Sequence, residues 1–244
     1  MTRRALTALA WMVVALVGVR LAAQDLDDIV AKNLQAKGGA DKLQAVQTLK
    51  QTAHVTFQGM TGTVTVYGKR PNLMRQEIAL GGQTVVNAFD GTTAWSINPL
   101  RGSPEPIAVS GPQAADIKLQ ADFDAPLVNY KSKGYTLELV GIETVGAKKA
   151  YHLKLTSKDG RIQHLYLDTD TNLEMKIVTD TEAGPIENDL SDYRDVNGLK
   201  LPFSMRTLSG VTVLGQIAVD TVEVNPKIDD SIFKMPKSSA LVDR

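Results

Sequence analysis

Apolar and polar positions alternate with a period of two along most of the chain, which is typical of β-strands with one buried face. From Leu49 onward, for example, Ala53, Val55 and Phe57 share one phase and the residues between them are polar. Similar runs cover 73–80, 84–89, 93–97, 135–142, 150–156, 162–168, 173–181, 187–193, 200–208 and 211–224. Gly, Asp and Asn turns separate them, so the pattern predicts an antiparallel meander, a large curved sheet that closes or half-closes on itself.

Three segments depart from this alternation. Apolar residues at helical spacing predict an N-terminal helix over 25–34 and a short second helix over 40–46, separated by Gly38-Gly39. A stretch at about 112–131 mixes apolar residues with Asp and Lys and predicts one or two short amphipathic helices inserted between strands. This insertion is either a plug for one end of the barrel or a lid over an apolar cavity.

The first 23 residues have the layout of a secretory signal peptide. Arg3 and Arg4 precede an apolar run over 5–19, and Leu21-Ala22-Ala23 offers small residues for cleavage before Gln24. The run is short for a membrane span, which needs about 20 apolar residues, although an uncleaved anchor is the alternative. We therefore expect export to the periplasm and one mature domain over 24–244.

Charge and composition narrow the function. Removing residues 1–23 takes Arg3, Arg4 and Arg20 from the 27 basic residues, which leaves 24 against 27 acidic ones. This balance gives no electrostatic footprint for nucleic acid. The sequence has no cysteine, so disulfides and thiolate metal sites are excluded.

Catalytic and metal-binding motifs are missing from the sequence. His54, His152 and His164 lack ligand spacing and are interpreted as surface histidines. The run 168–171 resembles part of a calcium loop but fits a hairpin turn stabilised by aspartate side-chain hydrogen bonds better. No nucleophile elbow, phosphate loop or dinucleotide fingerprint occurs. We therefore expect no enzymatic activity, catalytic residue, cofactor or metal.

Three motifs resemble the LolA/LolB superfamily of bacterial lipoprotein carriers, in the broad form called outer-membrane lipoprotein-sorting proteins. The first, 69–77, has the "Pro-Asn-x-x-Arg" strand; the second, 89–95, has the "Asp-Gly-x-x-x-Trp" hairpin. The third, 225–236, has the "Asn-Pro-x-Ile-Asp-Asp-x-x-Phe-x-x-Pro" end. They keep their order across nearly the whole chain from about Leu26 to Pro236.

The resemblance implies an incomplete antiparallel β-barrel wrapped around a helix, with a helical lid over a hydrophobic cavity. It also implies carriage of the acyl chains of lipoproteins, or of another lipid, through the periplasm. An inner-membrane donor and an outer-membrane acceptor are the implied partners. Fold-level kinship does not fix the ligand.

Site residues follow from the same resemblance. Arg75 matches the arginine that holds the lid closed in the family; the alternative is a strand arginine paired with Glu77. Met74, Phe89 and Trp95 either line the cavity or serve as ordinary core, which is the preferred interpretation. The expected inner face of the lid consists of Ile117, Leu119, Phe123 and Leu127.

Two other functions remain open at this stage. Similar half-barrels occur in periplasmic regulators of envelope-stress signalling, where the domain recognises a protein partner instead of carrying cargo. An uncharacterised hydrolase is the less favoured alternative, because solvated carboxylates such as Asp189, Asp192 and Asp195 do not select a mechanism.

Overall fold

The computed structural model describes residues 26–57 and 59–237. Thirteen antiparallel strands form one sheet in the order β6-β5-β4-β3-β2-β1-β13-β12-β11-β10-β9-β8-β7. The strands are β1 Thr48–Phe57, β2 Met60–Lys69, β3 Leu73–Leu80, β4 Gln83–Phe89, β5 Ala94–Asn98, β6 Ser103–Ala108, β7 Thr136–Val145, β8 Lys148–Thr156, β9 Ile162–Asp168, β10 Glu174–Thr179, β11 Ile186–Val196, β12 Leu199–Ser209 and β13 Thr212–Val224.

Helices are few and short. Helix α1 runs over 26–36, α2 is Ala40–Ala45 and α3 is Gly111–Gln120. Two 3₁₀ turns, Pro99–Arg101 and Asp230–Phe233, complete the elements of the described ranges. None of the helices in the described ranges is long and apolar enough to cross a membrane.

The sheet is open, because β6 and β7 each have a neighbour on one side only. The chain between these two edges, 109–135, contains α3 and therefore connects one edge of the half-barrel to the other. The first and last strands, β1 and β13, pair with each other in the middle of the open sheet. The predicted half-barrel with an N-terminal helix and a helical insertion is thus confirmed.

The two faces of the sheet differ in polarity. One face, called the inner face here, carries apolar clusters that include Ala53, Val64, Phe203 and Val219 at its centre. Helix α1 packs on the β8–β9 end of this face, where its Ile29 and Val30 contact four strand leucines. The opposite, outer face is mainly polar and carries cross-strand ion pairs such as Lys50 with Glu223 and Arg206 with Asp189.

Two sequence expectations differ from this architecture. Strand β6 was not predicted, since Pro104 and Pro106 remove two backbone donors; both are tolerated because β6 is an edge strand. The insertion forms one helix, Gly111–Gln120, followed by turns, so a second helix there is not present in this part of the described chain. The predicted signal peptide, residues 1–23, lies outside the described residues.

Candidate functional site

A cavity of about 1080 Å³ lies between the inner face of the sheet and the 109–135 connection. Typical small-molecule sites occupy about 300–1,000 Å³, so this space suits a large or elongated ligand. Its wall is predominantly apolar and comes from both halves of the sheet, from α2 and from the connection. Apolar lining residues include Leu43, Val46, Leu49, Val66, Leu73, Met74, Leu119, Phe123, Val128, Leu155, Leu199 and Leu201.

Helix α3 is seated on the sheet through one apolar cluster. Ile117 and Ala114 of the helix pack with Met74, Phe89 and Ala94 of strands β3–β5, and all five are buried. Pro112 lies in the first turn of the helix, where its missing N–H has no intrahelical partner to lose. One face of α3 is therefore part of the core, whereas Leu119 of the same helix lines the cavity.

The chain that follows α3 is held by Arg70, at the turn before β3. Its guanidinium donates to the carbonyl oxygens of Leu43 and Val46, at 3.0 and 2.6 Å, and so satisfies the C-terminal end of α2. The same group forms a 2.6 Å salt bridge with Asp124 and lies 4.8 Å from the ring centroid of Phe123. Arg70 thus ties α2 to the connection by forked donors that a lysine would lack.

The Phe123 ring lines the cavity and packs against strand β2 at Gly68. A Cβ added at Gly68 would lie 3.3 Å from the Phe123 ring, so the absence of a side chain there allows the ring to approach strand β2. A second ion pair within the connection joins Asp122 to Lys133 at 2.7 Å. Ala121, Leu127, Val128 and Tyr130 of the connection are buried in the core, whereas the stretch 122–126 between them is only partly buried and is held by these two ion pairs and the Phe123 ring.

Most charges at the cavity wall are neutralised locally. Besides the pairs at Asp122 and Asp124, Lys37 donates to the buried Glu174 at 2.9 Å. Asp159 lies 3.5 Å from Arg161. A hydrogen bond from Ser157 has the largest effect on the pKa of Asp159 and holds it below its usual value; burial opposes this lowering, and the charge of Arg161 adds to it.

One phenol adds a neutral polar group to this wall. Burial raises the pKa of Tyr135, and the nearby carboxylates of Asp122 and Asp159 raise it further. Tyr135 therefore stays protonated at neutral pH. The resulting site combines a large apolar surface with paired charges and a neutral phenol, which favours an apolar ligand over a highly charged one.

Arg75 and Trp95 lie on the outer face, away from this cavity. In the register of β3, β4 and β5, Arg75 and Trp95 both oppose Ala88, whereas Met74 opposes Phe89 on the inner face. Arg75 donates to Glu77 at 2.6 Å and to the carbonyl oxygen of Ile232 at 2.9 Å. The expected contact of Arg75 with the 112–131 segment is therefore replaced by one with the C-terminal turn; its pairing with Glu77, the alternative, is present.

The C-terminal segment, 225–233, explains these contacts and is called the strap here. It crosses the outer face strand by strand: Thr48 on β1 donates to Pro226, Lys69 at the end of β2 pairs with Asp230, and Arg75 on β3 binds Ile232. Finally, the fully buried Trp95 donates its indole N–H to Phe233 at 2.7 Å. Residues from all three motifs that resemble the LolA/LolB superfamily thus contact one another on the outer face, while other residues of the first two motifs line the cavity.

The eight site residues predicted from the sequence therefore separate into groups. Met74, Leu119 and Phe123 line the cavity. Phe89 and Ile117 pack beneath α3, and Leu127 is buried with Ile29 and Val30 of α1. Arg75 and Trp95 are outer-face residues. Arg70, which bonds both α2 and the connection, was missed, since an arginine beside a proline carries no signal of its own.

His152 is a correction to the surface interpretation of the histidines. Its ring is buried, stacks on Tyr166, and lies 2.6 Å from Glu143 on one side and 2.7 Å from His164 on the other. These partners approach opposite ring nitrogens and do not converge on one point. Across the residues that the structure describes, no group of three or more His, Asp or Glu side chains is placed to hold a metal.

The turn after β9 has the predicted hydrogen-bonding pattern. The Asp168 carboxylate accepts from the backbone N–H groups of Asp170 and Thr171, at 2.8 and 3.2 Å, and pairs with Lys148. The hairpin-turn interpretation of 168–171 is thereby confirmed.

Comparison with known proteins bears on the fold. No protein-family model matches the chain, and no curated protein sequence matches it. Solved structures do match: a DUF1329 family protein from Desulfovibrio piger and a LolA superfamily protein from Nitrosomonas europaea each have 15% identity and a TM-score of 0.59, covering 85% of this chain and 96% of the other. A putative outer membrane lipoprotein-sorting protein domain from Vibrio parahaemolyticus has 9% identity and a TM-score of 0.57, and the match covers 84% of this chain and 94% of the other.

These likenesses establish the architecture. The chain has a LolA-like fold, so the resemblance stated from the three motifs is confirmed at the level of the fold. At identities this low the ligand does not follow from the match.

Proposed function

We propose that the protein is an exported carrier that holds the acyl chains of a lipid or lipoprotein in the cavity beneath the 109–135 connection. The observation that carries this proposal is the apolar cavity of about 1080 Å³, whose cover includes a partly buried stretch, 122–126, that two ion pairs hold. An acyl chain makes no hydrogen bonds, so apolar area alone binds it, with about 0.8 kcal/mol per buried methylene.

Release of the cargo depends on the cover. A carrier must open without unfolding, and a cover held by ion pairs opens at a lower cost than one held by a large apolar contact. The Arg70–Asp124 pair and the Phe123 ring are the contacts that would break. In this proposal α3 stays on the sheet, because Ile117, Ala114 and Ala121 belong to the buried core, and the buried Leu127 and Val128 also stay in place, so that the partly buried chain 122–126 moves.

The biological setting follows from the same proposal. The layout of residues 1–23 supports export to the periplasm, and the LolA-like fold supports a lipidic cargo. An inner-membrane donor would load the cavity and an outer-membrane acceptor would empty it. Recognition of a protein partner in signalling is the competing function and makes the opposite prediction for the cavity, which would then stay empty.

Native mass spectrometry with lipid extraction tests the proposal. Protein purified from an envelope fraction without detergent should carry acyl species at stoichiometric level, and delipidated protein should take up a fluorescent fatty-acid probe. Leu119→Asp, on the cavity wall, should weaken probe binding at least tenfold. Ile107→Asp, an exposed apolar position on edge strand β6, is the matched control and should bind as the wild type does. A clean apo mass together with no probe uptake would contradict the carrier function.

A further inference from the structure

Two adjacent hairpins expose large apolar side chains at one end of the sheet. Phe57 and Met60, which flank the β1–β2 turn, are 42% and 44% exposed. Val211 and Val213, at the β12–β13 turn, are 99% and 51% exposed. The two hairpins are neighbours because β1 pairs with β13, and Phe57 lies opposite Gly215 in that register. These four residues are called the apolar tip here.

The sequence around the apolar tip contains no Asp, Glu, Lys or Arg. This holds for 51–68, for 207–219 and for 78–89, which includes the neighbouring β3–β4 hairpin. Charged residues make up 22% of the whole chain, so three such stretches side by side in the sheet are a marked departure. The adjoining pair His54 and Asp220 lies about 10 Å from Phe57, three residues along the strand.

The other turns at the same end of the sheet are charged. Arg101 lies in the β5–β6 turn, Lys158 and Asp159 in the β8–β9 turn, and Asp180 and Glu182 after β10. The uncharged region is therefore confined to the three central hairpins. The apolar tip is therefore surrounded by uncharged hairpins in the centre of the sheet and by charged turns on either side.

We propose that the apolar tip docks the protein reversibly on the surface of a lipid bilayer. Insertion below the headgroups disfavours charged side chains, which are costly in the hydrocarbon region, and all three stretches meet this requirement. An apolar element at an interface typically enters by about 5–10 Å, a depth that takes in the four tip residues and leaves His54 and Asp220 in water. A folded protein partner would not require three hairpins without charge, and it would seat on a flat apolar patch, whereas Val211 projects almost fully into solvent.

Because the tip is neutral, docking does not depend on anionic headgroups. Electrostatic attraction to a membrane needs a basic cluster, and the tip has none. Binding to bilayers of phosphatidylcholine alone should therefore equal binding to bilayers containing one third phosphatidylglycerol. Raising the salt concentration should leave it unchanged.

Vesicle flotation tests the proposal with the whole protein and phosphatidylcholine vesicles. Val211→Asp and Met60→Asp should each lower the partition coefficient about tenfold, since each forces a charge into the interface. Val211 is almost fully exposed, so Val211→Asp leaves the fold intact, which an unchanged melting temperature verifies. The matched control is Ile142→Asp, because Ile142 is also an exposed apolar residue, 59% accessible, but lies on edge strand β7. It should float like the wild type.

Three results would overturn the proposal: no flotation of the wild type, equal flotation of Val211→Asp and Met60→Asp, or flotation that needs phosphatidylglycerol and disappears in salt. A dimer that Val211→Asp dissociates, without vesicle binding, would assign the tip to a second copy and also overturn it. The test is independent of the cavity, since Leu119→Asp should lose the fatty-acid probe and still float. Failure of the carrier function and failure of docking are thus distinguished.

Discussion

Arg70 and Asp124 form a 2.6 Å salt bridge that joins the turn before β3 to the chain after α3. Both side chains are largely buried, so this bond is shielded from solvent more than the other ion pairs of the connection. The relationship makes Arg70, and not Arg75, the arginine in contact with the cover of the cavity.

Asp124→Asn should accelerate the release of a bound fatty-acid probe. The change removes the charge but leaves the bonds from Arg70 to the carbonyls of α2, so the scaffold is preserved. Losing a partly buried charged hydrogen bond costs about 1–3 kcal/mol, which corresponds to at least a fivefold faster release if the bond breaks on opening. Stopped-flow release measures this directly.

The matched control for this experiment is Asp27→Asn. Asp27 pairs with Lys131 of the same connection at 2.7 Å, but both side chains are exposed and the pair should contribute little. Equal release rates for the wild type and Asp124→Asn would show that the stretch 122–126 is not the moving cover.

Trp95→Phe should destabilise the protein without affecting the probe. The change leaves the carbonyl oxygen of Phe233 without its indole donor in a buried position, at a cost of about 1–3 kcal/mol in the free energy of unfolding. Arg75→Leu should behave in the same way through Ile232. Urea unfolding and probe titration measure the two effects separately.

The control for the strap is Arg206→Leu, which removes an outer-face strand arginine paired with Asp189 far from the C-terminal segment. Its stability should change little. Altered probe release in Arg75→Leu, with the free energy of unfolding unchanged, would instead support the lid-holding role that the superfamily resemblance implies for Arg75.

The alternation of apolar and polar residues predicts most of the strands. It also shows, better than motif matching does, which residues can face the cavity together. Adjacent residues of a strand face opposite sides, so Met74 and Arg75 cannot both face one cavity. The same rule separates Phe89 from Trp95, because the β4–β5 register places Ala94 opposite Phe89. The burial of Trp95 on the outer face depends on residues 225–233, at least 130 positions further along the chain, and that contact has no local signal.

Other features depended on partners that the local sequence does not reveal. The polar phase of β8 suggested an exposed His152, but Glu143 on β7 and His164 on β9 flank its ring and bury it. Arg70 acquires its role from α2 and Asp124, which lie 24 to 54 residues away. In contrast, the turn at 168–171 was predictable because the hydrogen bonds from the backbone of Asp170 and Thr171 to the Asp168 carboxylate are local.

Lys37→Met should be strongly destabilising. Lys37 and Glu174 form a buried ion pair beside the cavity, and the second carboxylate oxygen of Glu174 has no hydrogen-bond partner among the described residues. Removing the lysine leaves an unpaired buried carboxylate, which costs about 3–5 kcal/mol. Lys37→Met combined with Glu174→Leu should recover much of the loss, and a double-mutant cycle by urea unfolding quantifies the coupling. Equal losses in the single and double variants would contradict this assignment.

Asp168→Asn should reduce stability at neutral pH but not in acid. Burial opposes ionisation of Asp168, but the hydrogen bonds from Lys148 and from the backbone of Asp170 and Thr171 outweigh it and lower the pKa below 3.8. A carboxyl group with a lowered folded-state pKa stabilises the protein above its unfolded pKa, and this contribution disappears as the pH falls through the folded value. The difference in the free energy of unfolding between wild type and Asp168→Asn should therefore be constant from pH 7 to about 5 and shrink below about 4. Asparagine still accepts the backbone hydrogen bonds, so the pH-dependent part isolates the charge; a difference that stays the same down to pH 2.5 would show that the ionised carboxylate contributes nothing beyond the turn.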